Sequence, residues 1–104
     1  MDLRPILEEL KEGLQQIYGE RLKGVYLFGS RARGDSEEDS DIDIAVVLDD
    51  FESEYREGRS WSRLASEIGL KYTCVPSLLA IREADWRARD DSFLRNVRRE
   101  GVPV

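Results

Sequence analysis

The sequence predicts an α/β (α+β) domain in which a small mixed β-sheet is flanked by helices. Three observations predict it. Apolar residues recur at helical spacing up to Gly19; two short strand-length stretches, Leu22 to Phe28 and a second that opens on Asp41 and Asp43 and ends at Leu48, are separated by a Gly-Ser turn and an acidic stretch; and helical periodicity returns from Trp61 and again near the C-terminus. With 104 residues the chain is expected to form one domain spanning 1–104.

Taken in order, Asp2 can cap a first helix with Pro5 in its first turn, and Ile6, Leu7, Leu10, Leu14 and Ile17 form its core stripe. Leu22 to Phe28 is the first strand, where Gly24 marks a bulge or a close backbone approach. Gly29-Ser30 turns the chain, Arg31, Ala32 and Arg33 open a short helix, and Gly34 closes it. The second strand ends at Leu48, and residues 49–60 read as a loop running into a helix whose apolar positions are Trp61, Leu64, Ala65 and Ile68. Leu70, Tyr72 and Cys74 alternate with Lys71, Thr73 and Val75, which predicts a third strand, with Pro76 demoting its far end to an edge or bulge and residues 78–81 resuming the pairing. Asp90, Asp91 or Ser92 caps a last helix bearing Phe93, Leu94 and Val97, with Arg98 and Arg99 near its end and Gly101 and Pro103 to stop it. The apolar tail, residues 102–104, is expected to dock on the core or on a partner.

Composition narrows the chemistry. The formal charge is −6 with 37% charged residues, which opposes a polyanionic partner and argues against nucleic-acid binding. No stretch approaches the roughly 20 apolar residues of a membrane helix, and MDLRPILEEL has no signal-peptide pattern, so a cytoplasmic protein is expected. There is no histidine, which removes Ser-His and Cys-His catalysis and His-based zinc sites, and the single Cys74 reads as a structural thiol. Carboxylates and a carboxylate-bound metal remain.

The second strand supplies them. Alternation places Asp41, Asp43, Ala45 and Val47 on one face and Ile42, Ile44, Val46 and Leu48 on the other, so two carboxylates about 6 to 7 Å apart along the strand can converge on one cation. An isolated Asp-x-Asp is as readily a turn followed by a solvated acid. Gly-Ser at a strand end is likewise either an ordinary turn or an anion site, in which glycine admits a phosphate to the backbone and Ser30 adds a hydroxyl. Together the two features match a nucleoside triphosphate with its Mg²⁺. Asp35, Glu37, Glu38 and Asp39 add to Asp41 and Asp43 to give six carboxylates within nine residues, a repulsion that a bound cation would relieve.

At Gly29-Ser30, Arg33-Gly34 and Ser40-Asp41-Ile42-Asp43, followed by Ile44 to Leu48, the chain resembles the minimal nucleotidyltransferases of the DNA polymerase beta superfamily. The resemblance extends over nearly the whole chain. It implies the polymerase beta-like nucleotidyltransferase fold, Asp41 and Asp43 as catalytic Mg²⁺ ligands, Gly29, Ser30, Arg33 and Ser40 as contacts to ATP, and Arg31 in a structural or pairing role. It also implies a third carboxylate on the third strand, and matching the pattern around Tyr72 puts that position on Thr73, a departure that weakens the site. As partner it implies an all-helical HEPN ribonuclease toxin, neutralised by transfer of AMP to a tyrosine. An antitoxin that neutralises by binding alone is the second implication, and a small-molecule nucleotidyltransferase, disfavoured by the missing acceptor domain, the third.

Overall fold

Ile42–Leu48 is buried along almost its whole length on both faces, and the other elements pack around it. The computed structural model describes residues 2–34 and 41–104. Strand β1 (Leu22–Phe28) runs antiparallel to β2 (Ile42–Leu48), and β3 (Pro76–Arg82) lies parallel to β2 on its other side. A short β4 (Val102–Pro103) pairs with the outer edge of β1, so the mixed sheet has the order β3-β2-β1-β4. No helix among the described residues is long and apolar enough to cross a membrane.

A near-continuous apolar strand is what a sheet covered on both sides requires. Ile42, Ile44, Val46 and Leu48 join Val25 and Leu27 beneath α1 (Arg4–Tyr18) and α3 (Glu54–Tyr72). On the opposite face Ala45 and Val47 meet Ile81, Leu94 and Val97, with Tyr26, Phe28, Leu79 and Trp86 around them, beneath α4 (Glu83–Ala88) and α5 (Ser92–Glu100). Asp43, two residues before Ala45, belongs to this second face, whereas Asp41 immediately precedes the strand, which begins at Ile42.

Local chemistry sets the boundaries. The Asp2 carboxylate accepts the Arg4 backbone N–H at 3.0 Å at the head of α1, Ser53 caps α3 through the Arg56 N–H, and Asp91 caps α5 through the Leu94 N–H at 2.8 Å. In α1 the buried stripe is Ile6, Leu10, Leu14 and Tyr18, while Ile17 faces outward; the tyrosine takes the place expected for the isoleucine, sends its hydroxyl to the buried Glu57 at 3.0 Å and meets Trp61 edge-on. The β1–β2 register slips between Leu22 and Gly24, the bulge expected at that glycine.

The third strand expected at residues 70–75 does not form. Those residues complete α3, which runs to Tyr72, and Leu70 is 85% exposed. A two-residue alternation was present, but the helical period starting at Trp61 continues through Ile68 to Tyr72, whose hydroxyl reaches Glu9 on α1. Thr73 therefore caps a helix, and Pro76 opens β3 instead of ending a strand, a position where proline is tolerated. Thr73 holds φ 52° and ψ 57°, a left-handed conformation that costs an L-residue about 1–2 kcal/mol. Thr73→Gly is expected to stabilise the fold by about 1 kcal/mol in urea denaturation; a loss of stability would show that the threonine side chain is anchored.

Candidate active site

The chain leaves β1 at Phe28, turns at Gly29 with φ 74°, and winds directly into the five-residue helix α2 (Gly29–Arg33), which Gly34 ends in the left-handed conformation. Positive φ is why glycine stands at both ends. Phe28 occupies the position before the helix and has no side-chain oxygen to offer, so the first N–H groups of α2 are not capped from there.

Asp43 sits opposite Phe28 across the β1–β2 ladder, which brings its side chain against the turn. A Cβ built on Gly29 would run into Asp43 Oδ2 and lie 3.2 Å from its Cγ. The absence of a side chain at Gly29 is therefore what lets backbone and carboxylate share a wall. Burial and then the neighbouring Asp41 charge push the Asp43 carboxyl above its ordinary range, with Arg33 opposing. Arg33 is anchored by Glu100 of α5, Nη1 to Oε2 at 3.2 Å. Arg31 is close enough to Cys74 for its charge to oppose the burial that raises the thiol, and the half-buried Cys74 Sγ faces the Ile68 carbonyl, as suits a structural cysteine.

Gly29, Ser30, Arg33, Asp41 and Asp43 thus converge at one end of the central strand pair. Ser40 and the acids Asp35, Glu37, Glu38 and Asp39 lie outside the described residues. The position expected for a third carboxylate needs correction, because Thr73 is off the sheet. The β3 residue level with Asp43 is Ser77, exposed and on the same face. No group of three acidic or thiol side chains able to hold a metal forms among the described residues. Two hard oxygen donors whose mutual repulsion is already felt at Asp43 fit an oxygen-ligated cation such as Mg²⁺. Sequence reasoning missed Ser77 and Glu100. The apolar run after Pro76 was a usable signal for the first; the second lies 67 residues from its partner and left none.

A strand, a glycine turn into a short helix, and a second strand opening on paired acids define a nucleotide-handling transferase class. Residues 7–99 match the nucleotidyltransferase domain family. Over 104 residues, all of both chains, the sequence is 31% identical to MJ0141 of Methanocaldococcus jannaschii, designated a protein adenylyltransferase. MJ0604 of the same organism, with the same designation, is 36% identical over 103 residues, which span 97% of this chain and 96% of that one. A mutant of the toxin–antitoxin MntA–HpeT superposes with a TM-score of 0.64 at 20% identity, and a toxin–antitoxin crystal structure with AMP-PNP gives 0.64 at 22%, each over 99% of this chain and 72% of the other, which shows the fold. The chain belongs to the nucleotidyltransferase domain family.

Proposed function

We propose that the protein transfers AMP from Mg²⁺-bound ATP to a hydroxyl of a partner protein, a tyrosine of an all-helical HEPN-family toxin, and so serves as its antitoxin in the cytoplasm. The observation that carries this reading is the contact of Gly29 with Asp43, by which a turn suited to a polyphosphate and acids suited to its cation adjoin. The relatives' designation supports AMP transfer to protein, and the toxin–antitoxin neighbours, one with AMP-PNP, support the partner class and the nucleotide.

In this reading Gly29 and Ser30 receive the β- and γ-phosphates through backbone N–H groups and the serine hydroxyl, and Arg33 adds positive charge beside them. Ser40 is a further expected nucleotide contact. Asp41 and Asp43 hold Mg²⁺, which when bound neutralises charge on the attacking and leaving oxygens. The acceptor oxygen bonds to the α-phosphorus as the bond to the bridging β-oxygen breaks; pyrophosphate leaves, and the hydroxyl proton passes to water.

The test is incubation with Mg²⁺, α-labelled ATP and the product of the adjacent open reading frame. Label on a partner tyrosine, lost in Asp41→Asn and Asp43→Asn, is the expected result. Complex formation with no label would instead establish the second reading, a binding antitoxin with little or no turnover, which the hydroxyl of Ser77 at the level of Asp43 favours. Ser77→Asp should then raise Mg²⁺ affinity about tenfold, since affinity follows the number of charged ligands, while Thr73→Asp leaves it unchanged. Equal effects from the two, read by calorimetry, would contradict the register.

A further inference from the structure

Helix α5 forms a wall of this site. Glu100 at its C-terminal end holds Arg33 of α2. Two turns earlier Phe93 meets the ring of Phe28 edge-on, with centroids 6.3 Å apart and planes at 85°. Phe28 leads into Gly29 and is the cross-strand neighbour of Asp43, so a single ring, Phe28, links Phe93 to the strand position of Asp43. The next residue on α5, Leu94, is buried, yet Phe93 is 51% exposed. An aromatic ring is thus held by its contact with Phe28, the residue that leads into the Gly29 turn, and left half in solvent.

We propose that Phe93 is the platform on which the nucleobase of the bound triphosphate stacks. The assignment rests on the nucleotide site proposed above and adds the base's own partner. A sugar separates the base from the α-phosphate, so a triphosphate seated at Gly29 and Asp43 must place its base a side-chain layer away from the acids. Every nucleobase offers a π face, and a phenyl ring brings no hydrogen-bonding group, so this contact recognises a ring and not a base identity. The nucleobase is favoured over an aromatic acceptor because the same helix, through Glu100, already braces the arginine beside the phosphates.

The experiment compares ATP, GTP and inorganic tripolyphosphate, each with Mg²⁺, by calorimetry on the full chain. Phe93→Ala and Phe93→Leu should each weaken ATP and GTP by about tenfold, the scale of a lost base–aromatic stack, and leave tripolyphosphate unchanged. Phe93→Trp should keep nucleotide affinity and show fluorescence quenching with ATP but not with tripolyphosphate. Because the ring is half exposed, the variants should fold, which circular dichroism checks. Undiminished ATP affinity in Phe93→Ala, including the case where partner binding falls instead, overturns the assignment, as does equal weakening of tripolyphosphate. If the unaltered protein binds neither ATP nor tripolyphosphate, the nucleotide site itself fails, a result distinct from failure of the platform.

Discussion

Asp43→Asn is expected to abolish AMP transfer while making the metal-free protein more stable at neutral pH. The activity loss should exceed the roughly 10- to 100-fold that changes to outer-shell groups cost, because an amide removes one of only two charged ligands proposed for Mg²⁺. The stability gain follows from linkage. Burial and then Asp41 raise the Asp43 carboxyl above its unfolded value, with Arg33 only partly offsetting them. A raised pKa means that the contribution of Asp43 to stability is fully present below its unfolded pKa and lost as pH rises through the folded one. At neutral pH the unaltered protein therefore carries an unfavourable charge that asparagine removes, and in acid the two proteins should converge. Thermal melts from pH 3 to 7 without metal, set beside labelled-ATP assays, check both halves. A variant less stable at neutral pH would show that Asp43 makes a favourable contact in the folded state, and that its placement against Asp41 is wrong.

Such an opposition between fold and function explains which parts of the molecule were legible in the sequence. Where a backbone demand selects a residue type, the reading is direct: Gly29 and Gly34 both hold positive φ, Gly24 sits at the register slip, and Asp91 caps α5. Asp41 and Asp43 stood out because ionisable residues at the head of an otherwise apolar strand run against its packing, which is what makes them the candidate site. The misreading at residues 70–75 has the opposite origin. Leu70 and Tyr72 suit a strand pattern locally, and the competing helical period from Trp61 prevails where α3 docks on α1, through Lys71 and Tyr72 to Glu9. Displacing that strand moved the position level with Asp43 from Thr73 to Ser77. Helix α4 has only six residues and none is buried, so it offered no stripe to detect. The ties of α5 to the site, Glu100 to Arg33 and Phe93 to Phe28, are tertiary pairings between segments far apart in the chain.

Gly29→Ala is expected to cost AMP transfer on the order of a hundredfold, less than Asp43→Asn, and with the opposite effect on stability. Two costs add. The backbone at φ 74° disfavours any L-residue by about 1–2 kcal/mol, and the new methyl would collide with Asp43 Oδ2 and crowd its Cγ at 3.2 Å. The carboxylate must swing away, and a misplacement of about 1 Å in a reacting constellation is enough for a loss on the order of a hundredfold. The two costs separate in a double-mutant cycle. In an Asp43→Ala background the atoms in the way of the methyl are gone, the nearest remaining contact being the residue-43 Cβ at 3.4 Å, so only the backbone penalty should survive. The destabilisation by Gly29→Ala, measured by urea unfolding, should therefore shrink in that background. Strict additivity would mean that glycine and aspartate do not touch, and it would remove the contact on which the proposed nucleotide site is built.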